Sequence, residues 1–395
     1  MTFPPAAELT LPEDGASGAL VGRVWLPSVG GPAVVVVRPD GVYDVTATFA
    51  TVRDLCETTE PATALRAADG TFVGELAALL ANTPVDHRDP ARPWLLSPVD
   101  LQVVKAAGVT FAVSMLERVI EERTGGDAAG AADVRAEIVA LVGGDLATLR
   151  PGSPEAAEVK RMLVAQGFWS QYLEVGIGPD AEIFTKAPVL STVGTATDAG
   201  VHPDSRWNNP EPEVVLAIAS DGRIVGATLG NDVNLRDIEG RSALLLPKAK
   251  DNNASAALGP FLRLFDADFG LDDVRAATVT LTVDGTDTHH LDGTSSMREI
   301  SRDPADLVAQ LVNPTHQYPD GAVLYLGTMF APIEDRDAPG QGFTHHTDDV
   351  VAISTPKLGT LVNRIRPSDR CEPWRFGVAA LFRNLAGRGL LRDDQ

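Results

Sequence analysis

The predicted fold is centred on residues 208–237, which read NNPEPEVVLAIASDGRIVGATLGNDVNLRD. Two apolar runs, 214–219 and 224–229, flank Asp221-Gly222, a residue pair that is typical of two-residue β-hairpin turns. A turn at these two residues places Glu211 directly opposite Asp232, and opposed residues have Cβ atoms about 4.5–5.5 Å apart. Glu213 projects from the same strand face as Glu211, because side chains alternate along a strand. The sequence therefore predicts three carboxylates in one place.

Three carboxylates that lie together need a compensating positive charge. Sets of carboxylate oxygens suit hard cations such as Mg²⁺, Mn²⁺ or Ca²⁺. The alternative is a group of solvated acids at the end of a strand, in a chain that is already rich in acidic residues. Spacing alone leaves both interpretations open.

The bulk composition excludes several classes of partner. The chain has 395 residues, 44% hydrophobic residues and a net charge of −21, so it can bury a large core and two domains are expected. No cluster of basic residues offsets the excess of acidic residues in the sequence. This argues against nucleic acid or an anionic membrane as the main partner. An anionic small substrate stays compatible, because a metal and a few cations reverse the field locally.

Cysteine usage and the N-terminus predict a cytoplasmic protein. The two cysteines, Cys56 and Cys371, are far apart in sequence, which disfavours a disulfide framework. The first residues lack the basic and apolar regions of a signal peptide. The apolar run 33–37 is far too short to span a membrane.

The pattern of elements predicts a β-rich α+β fold with two domains. Residues 1–100 form a small β-rich unit, with strands at 20–26 and 33–38, helices at 51–58 and 73–81, and a linker at 83–98. A helical segment covers about 108–173. Short strands then follow, which favours a sandwich or barrel over a parallel sheet; they lie at 214–219, 224–229, 277–283, 322–327 and 350–354.

Four motifs resemble the fumarylacetoacetate hydrolase family. They are Glu211-Pro212-Glu213, Asn231-Asp232 with Arg236-Asp237, Ala249-Lys250-Asp251, and Leu326-Gly327-Thr328. The resemblance covers roughly residues 101–395. It implies a mixed β-roll or sandwich catalytic domain over 101–395, with a smaller β-rich domain over 1–100 and a helical insertion.

The resemblance also implies a set of site residues. Glu211, Glu213 and Asp232 would hold Mg²⁺, for which Mn²⁺ can substitute. Lys250 and Arg236 would act at a bound keto acid, and Thr328 would contact the substrate carboxylate. A homo-oligomer, dimeric or tetrameric, is the implied assembly.

One departure from the family pattern changes the expected reaction. Family hydrolases carry a histidine and a glutamate on one helix to activate water, and here Ser114 stands at the histidine position while Glu117 remains. Ser114 cannot act as a base near neutral pH without help. The chain is similar to the bacterial dehydratases of this family over several further stretches, which are 101–122, 168–176, 244–261, 329–332 and 340–345.

This similarity implies dehydration of 2-keto-3-deoxy-D-xylonate to 2-oxoglutarate semialdehyde, in oxidative pentose degradation. The metal would polarise the keto group and stabilise the enolate that forms when a C3 proton leaves. Lys250 is the candidate base, for which its pKa must be lowered from the ordinary value of about 10.4. Glu117 is the candidate acid for the leaving hydroxyl and a candidate base at C5.

Each assignment has a plainer alternative. Lys250 can be a surface lysine, and Glu117 can lie on the exposed face of its helix. Arg236 can bind the substrate carboxylate or only hold Asp237 or Glu239, and Ser114 is assigned to hydrogen bonding a substrate hydroxyl. For the whole protein, the alternatives are a hydrolase that cleaves a carbon–carbon bond of a diketo acid or acylpyruvate, and a non-catalytic metal-binding module.

Overall fold

The computed structural model describes residues 2–125, 127, 131, 133–134, 149–165, 167, 169–330, 332 and 334–391. The predicted helical segment 108–173 therefore falls partly outside the described residues, between 126 and 148. No helix among the described residues is long and apolar enough to cross a membrane.

Twelve helices are described. In chain order they are α1 (Ala7–Thr10), α2 (Val52–Glu57), α3 (Pro61–Ala67), α4 (Leu76–Asn82), α5 (Ala112–Thr124), α6 (Pro154–Ala165), α7 (Gln171–Ile177), α8 (Arg236–Glu239), α9 (Leu246–Lys250), α10 (Leu271–Ala276), α11 (Pro304–Leu311) and α12 (Val378–Gly387). Short 3₁₀ turns lie at Pro27–Val29, Val85–His87, Ala243–Leu245 and Met297–Glu299.

The strands carry most of the architecture. In chain order they are β1 (Leu20–Leu26), β2 (Gly31–Arg38), β3 (Gly41–Asp44), β4 (Thr71–Gly74), β5 (Trp94–Leu96), β6 (Val103–Gly108), β7 (Glu182–Ala187), β8 (Thr197–Val201), β9 (Asn208–Asn209), β10 (Pro212–Ile218), β11 (Ile224–Asp232), β12 (Asn234–Leu235), β13 (Ala256–Leu264), β14 (Thr278–Asp284), β15 (His290–Ser296), β16 (Ala322–Tyr325), β17 (Val350–Thr355) and β18 (Gly359–Pro367).

One 11-stranded sheet runs through the molecule in the order β4-β3-β2-β1-β13-β11-β10-β16-β6-β7, with β5 paired to β1. The strands of the first 100 residues join this sheet through β1, which pairs antiparallel with β13, Leu20 opposite Arg263. The predicted division at residue 100 stays a prediction, but the hydrogen-bonded sheet crosses it without a break.

A second, five-stranded sheet, in the order β15-β14-β17-β18-β8, packs on one face of the large sheet. Leu216 and Leu229 of the large sheet share a buried cluster with Leu281, Ile353 and Leu361 of the second sheet. The next residues along β10 point the other way, into a cluster with the N-terminal elements. Because β10 is covered on both faces, its sequence is continuously apolar rather than alternating. The predicted β-rich α+β fold is confirmed.

The β10–β11 hairpin has the predicted register where the acidic residues lie. Pro212 pairs with Asn231 and Val214 with Leu229, and Asp232 N donates a hydrogen bond of 3.0 Å to Glu211 O.

The turn of this hairpin differs from the prediction. Ala219 N donates to Arg223 O at 2.9 Å, so the loop comprises residues 220–222 rather than 221–222. Gly222 has a φ of +88°, which glycine adopts at little cost. A register shift after Ala217 absorbs the extra loop residue, and three-residue loops of this kind commonly combine a turn with a bulge.

Some predicted boundaries are wrong in the N-terminal region. The predicted helix 73–81 begins only at Leu76, because Val73 and Gly74 belong to β4. The predicted linker 83–98 contains β5 (Trp94–Leu96), which pairs with β1 through Arg23 and Leu96. Tertiary pairing overrides the proline-rich local sequence there.

Candidate metal centre beside a buried cavity

The hairpin brings the three predicted metal ligands together. Glu211 directly precedes β10, Glu213 lies in it, and Asp232 ends β11. One carboxylate oxygen from each of these side chains lies within 4.8 Å of the others, and all three residues are buried. The donor set consists of carboxylate oxygens alone, which matches the preference of Mg²⁺. The ligand role itself stays a prediction.

Two lysines neutralise part of this negative charge. Lys250 Nζ lies 2.5 Å from Glu211 Oε2 and 3.0 Å from Asp232 Oδ2. Lys186 Nζ lies 2.8 Å from Asp232 Oδ1. Glu213, by contrast, forms no ion pair among the described residues and accepts hydrogen bonds from Gly327 N at 2.7 Å and Thr328 Oγ1 at 3.3 Å.

The pKa shifts follow this distribution of cations. Burial opposes ionisation of Glu211, but Lys250 and Arg118 outweigh it and lower the pKa of Glu211 to about 2. Burial, Asp232 and Glu211 raise the pKa of Glu213 well above its ordinary value. Glu213 is therefore the predicted ligand that lacks a counter-charge within the described part of the chain, and a divalent cation among the three carboxylates would supply it. By this test the residues fit a hard metal ion.

Lys250 does not show the lowered pKa that the base assignment requires. Burial lowers the pKa of Lys250, but Asp232, Glu211 and Glu239 outweigh burial and raise it above the ordinary value. The expectation of a depressed pKa counted desolvation and a nearby Mg²⁺, and ion pairing with buried carboxylates acts in the opposite direction to both.

Lys186 holds Asp232 in place. The lysine is fully buried and its ammonium group also donates to Lys250 O at 2.5 Å and Val233 O at 3.3 Å. Burial lowers the pKa of Lys186. Sequence analysis assigns no role to Lys186, since its partners come from three separate segments.

The three carboxylates line a small internal cavity. Its walls consist of Ala107, Gly108, Val109, Ser114, Arg118, Glu182, Phe184, Glu211, Glu213, Asp232, Glu239, Lys250 and Thr328. Three charged members, Arg118, Glu182 and Glu239, were not predicted from the sequence as site residues. Only Arg118 had a local signal, because it lies four residues after Ser114 and therefore on the same face of α5.

Arg118 connects helix α5 to the metal centre. Its guanidinium group contacts Glu211 Oε1 and lies 2.7 Å from Glu121 Oε2 and 2.8 Å from Glu239 Oε2. Burial raises the pKa of Glu239 to about 7, although Arg118 acts in the opposite direction. Arg118 thus fixes the orientation of a predicted metal ligand from the helix side.

Arg236 lies behind the cavity rather than in its wall. Its Nε is 3.1 Å from Glu121 Oε1, its Nη1 donates to Pro332 O at 3.1 Å, and its guanidinium carbon lies 5.3 Å from the Trp207 ring centroid. The predicted substrate-binding role is therefore not supported by its position. The alternative partners expected for it, Asp237 and Glu239, are also not the ones it contacts.

The remaining predicted residues divide between the cavity and its surroundings. Ser114 lines the cavity and donates to Phe111 O at 2.9 Å. Thr328 lines it too, with its hydroxyl turned to Glu213. Glu117 is buried, not on an exposed helix face, and it is absent from the cavity wall as described.

The match to a family model falls on this centre. Residues 210–366 match the model described as "Fumarylacetoacetate (FAA) hydrolase C-terminal". The matched range contains all three carboxylates, Lys250 and Thr328. It names the same family that the sequence motifs resemble.

Two curated relatives are similar to this chain. One, named 2-dehydro-3-deoxy-D-arabinonate dehydratase, from Saccharolobus solfataricus, is 28% identical over 185 residues, which is 47% of this chain and 58% of the relative. The other, named probable 2-keto-3-deoxyxylonate dehydratase, from Haloferax volcanii, is 30% identical over 194 residues, which is 49% of this chain and 63% of the relative. The alignments thus span about three fifths of each relative.

Solved structures support the fold. A 2-keto-3-deoxy-D-arabinonate dehydratase in its apo form has a TM-score of 0.61 and 18% identity, covering 88% of this chain and 99% of that chain. The same kind of enzyme complexed with magnesium and 2,5-dioxopentanoate has a TM-score of 0.60 and 19% identity, with the same coverage. At this identity the likeness shows a shared fold.

Proposed function

We propose that this protein is a Mg²⁺-dependent dehydratase that converts 2-keto-3-deoxy-D-xylonate to 2-oxoglutarate semialdehyde, which is 2,5-dioxopentanoate. The observation that carries the proposal is the convergence of Glu211, Glu213 and Asp232 within 4.8 Å of one another on a cavity that also contains Lys250. The names of the curated relatives support the reaction class, and the magnesium and product in one structural neighbour support the cofactor and product.

The metal would be held by the three carboxylates. When bound, Mg²⁺ supplies a Lewis acid that polarises the keto oxygen of a 2-keto acid and favours loss of a C3 proton. The chain positions the ligands for it: Lys186 fixes Asp232, Arg118 fixes Glu211, and the Gly327 amide fixes Glu213.

Lys250 is the proposed base at C3. It lines the cavity, and its ammonium group already lies between Glu211 and Asp232. These two carboxylates raise its pKa, so Lys250 can accept a proton only when their negative charge is matched by another cation. The proposed chemistry thus makes base function depend on an occupied metal centre.

The polar residues of the wall provide contacts for a small anionic substrate. Ser114 and Thr328 both line the cavity, and the Thr328 hydroxyl contacts Glu213. Arg118 adds a positive charge beside the centre. These groups suit a short hydroxylated keto acid better than an apolar ligand.

The second candidate function is hydrolysis of a carbon–carbon bond in a diketo acid or acylpyruvate. Water activation would require a base other than Lys250. The described cavity wall contains no histidine, and Ser114 is engaged with Phe111 rather than with a potential base. These contacts favour dehydration.

The direct test is to incubate the protein with 2-keto-3-deoxy-D-xylonate and Mg²⁺ and to identify the product by mass. We expect loss of one water and a semialdehyde that a carbonyl reagent traps. Parallel assays with an acylpyruvate test the hydrolase, and cleavage of the acylpyruvate without any dehydration would contradict the proposal. Full turnover after exhaustive chelation would contradict the metal requirement.

Two lysine variants separate the base from general charge effects. Lys250→Met should abolish turnover while the protein stays folded, because the candidate base is removed. Lys248→Met, on the same helix but about half exposed and paired with exposed Asp204 at 3.4 Å, is the matched control and should keep its rate. A normal rate for Lys250→Met would reject the base assignment.

A further inference from the structure

A second cavity lies between the N-terminal strands and the C-terminal segment. Its volume is about 430 Å³, which is typical of small-molecule sites and far larger than the voids that core packing leaves. We call it the aromatic cavity, because its wall includes Trp25, Trp94, Trp374 and Phe376. No residue of this described wall lines the cavity beside the three carboxylates. The aromatic cavity is therefore a separate site.

One wall of the aromatic cavity is built by the pairing of β1 with β5. Arg23 and Trp25 alternate along β1 and so project from the same face. Opposite them on β5 lie Leu96 and Trp94. The Trp25 and Trp94 rings stack with centroids 5.7 Å apart, and the Phe376 ring meets Trp25 edge-on with centroids 5.1 Å apart. These ring contacts hold the wall in place without a ligand, so the cavity is preformed.

Trp374 differs from these packed rings. It lines the aromatic cavity, yet it is 46% exposed, and its ring stacks on no other ring among the described residues. Its Nε1 donates a hydrogen bond of 3.1 Å to Phe376 O, which fixes the orientation of the indole. An oriented and half-exposed indole is suited to stack on a planar ring that enters the cavity.

The acidic residues of the wall are already neutralised. Asp198 lies 2.7 Å from Arg364 Nη2, and Glu372 lies 2.8 Å from Arg88 Nη1. Cys371 also lines the cavity, and burial raises the pKa of its thiol to about 12, so the thiol stays protonated and unreactive near neutral pH. The described wall thus offers contacts for binding rather than a nucleophile or a base.

Two arginines of the wall are neutralised weakly, or not at all, by the described residues. Arg23 is 6% exposed; its Nη1 donates to Val99 O at 2.6 Å, and its Nε lies 3.7 Å from Asp100. Asp100 also accepts three backbone hydrogen bonds. Arg375 is exposed and forms no hydrogen bond or ion pair with the part of the chain that is described. The charge that remains in the wall is therefore positive, although the chain carries a net charge of −21.

We propose that the aromatic cavity binds a small aromatic carboxylate, a planar ring that carries one carboxyl group. The guanidinium groups of Arg23 and Arg375 pair with the carboxylate, and Trp374 stacks on the ring. The hydroxyl groups of the wall already form hydrogen bonds within the protein. This disfavours a hydroxylated acid, whose own hydroxyl groups would lose water without gaining partners. The inference goes beyond the proposed dehydration and does not depend on it.

The test is a calorimetric titration of the full chain with 2-naphthoate, a two-ring aromatic carboxylate. Three other compounds each lack one required feature: 2-naphthamide has no charge, decahydronaphthalene-2-carboxylate has no aromatic ring, and D-gluconate is a hydroxylated acid without a ring. We expect 2-naphthoate to bind once per chain. The amide and gluconate should bind at least about 10-fold more weakly, and the saturated acid about 5-fold more weakly.

Two exposed positions test the contacts without disturbing the core. Arg375→Gln and Trp374→Ala should each weaken the binding of 2-naphthoate about 5-fold. Arg370→Gln and Phe382→Ala are the matched controls, because both side chains are exposed and neither lines the aromatic cavity. The controls should keep the wild-type affinity, and melting temperatures show whether all four variants are folded.

Chelation separates this site from the metal centre. Binding of 2-naphthoate should persist in EDTA, and its loss would place the ligand at the three carboxylates and overturn the proposal. Equal affinity for 2-naphthoate and 2-naphthamide, tighter binding of D-gluconate, or undiminished binding by both Arg375→Gln and Trp374→Ala would also overturn it. The same holds if millimolar 2-naphthoate gives no binding heat at two temperatures. None of these results depends on turnover, so they are distinct from a failure of the proposed function.

Discussion

Lys186 Nζ lies 2.8 Å from Asp232 Oδ1, and both side chains are at least 98% buried, with exposures of 0% and 2%. The pair joins β7 to the end of β11. Burying two charges is costly, and the cost is recovered only while both partners are present. The contact therefore makes the geometry of a predicted metal ligand depend on a lysine that never reaches the cavity surface.

Removing this lysine should destabilise the protein strongly. Lys186→Met leaves Asp232 with one ion pair fewer in a buried site, and loss of one partner of a buried pair typically costs about 3–5 kcal/mol. Urea unfolding at neutral pH measures the effect. Lys248→Met, whose partner Asp204 is 69% exposed, should change the free energy of unfolding by no more than about 1 kcal/mol. If the two substitutions changed the free energy of unfolding equally, the buried pair would contribute no more to stability than the exposed pair.

Glu213→Gln should have opposite effects without and with magnesium. Burial beside Asp232 and Glu211 raises the pKa of Glu213, so its ionised form destabilises the metal-free protein at neutral pH. The neutral amide removes this repulsion, and the melting temperature without metal should rise. Magnesium at 100 times its Kd should stabilise the wild type by about 2.7 kcal/mol and the variant far less. Undiminished magnesium stabilisation of Glu213→Gln would remove Glu213 from the ligand set.

Gly108→Ala should impair the site more than the fold. The added methyl group would meet Glu182 Oε2 at 2.1 Å and must displace the carboxyl group. Both residues line the cavity, so the substitution changes the cavity wall and we expect kcat to fall. Gly74→Ala is the matched change, because a Cβ atom there has no neighbour within 4 Å. Measurements of turnover and melting temperature in both variants test whether the site is affected more than the fold. Unchanged turnover in Gly108→Ala would mean that the Glu182 position is not required.

The contribution of Asp349 to stability should depend on pH. Asp349 is fully buried and lies 2.6 Å from Arg336 Nη1. Burial opposes its ionisation, but hydrogen bonds from Arg336 and His345 outweigh burial and lower the pKa of Asp349. Its unfolded value is about 3.9. A lowered folded pKa gives stability that is fully present above the unfolded pKa and is lost as pH falls toward the folded pKa.

Asp349→Asn should therefore destabilise the protein at pH 7, and the difference from wild type should shrink as pH falls below about 4. The free energies of unfolding of both proteins, measured from pH 7 down to pH 3, give this difference. Asp292→Asn is the control, since Asp292 is 75% exposed. A difference that stays constant down to pH 3 would contradict the lowered pKa.

The sequence was sufficient for the parts of the site that local pattern controls. The Asp221-Gly222 turn signal and the alternation of strand residues placed Glu211, Glu213 and Asp232 together, even though the loop has one more residue than predicted. The error in loop length does not alter the pairing at the acidic residues, because the register shift after Ala217 lies between the turn and those residues.

Other parts depend on contacts between distant segments. The pairing of Glu182 with Gly108 requires the register of β6 and β7, which are separated by more than 70 residues of chain. The raised pKa of Lys250 depends on Asp232, Glu211 and Glu239, which lie in other elements. Arg118 and Arg236 both occupy helices near the centre, and only the packing of α5 against α8 decides which of them contacts Glu211.

The pairing of β1 with β13 has a consequence for any attempt to isolate the region that contains the acids. A chain shortened to start at residue 101 would lose β1 to β5, and β13 would become an open border strand with unpaired backbone groups, a template for aggregation. Leu258 and Leu262 of β13 would also lose the apolar cover that Val21 and Val34 give them. Strand β13 is the direct neighbour of β11. The first hundred residues therefore cover a sheet edge that would otherwise be exposed one strand away from Asp232.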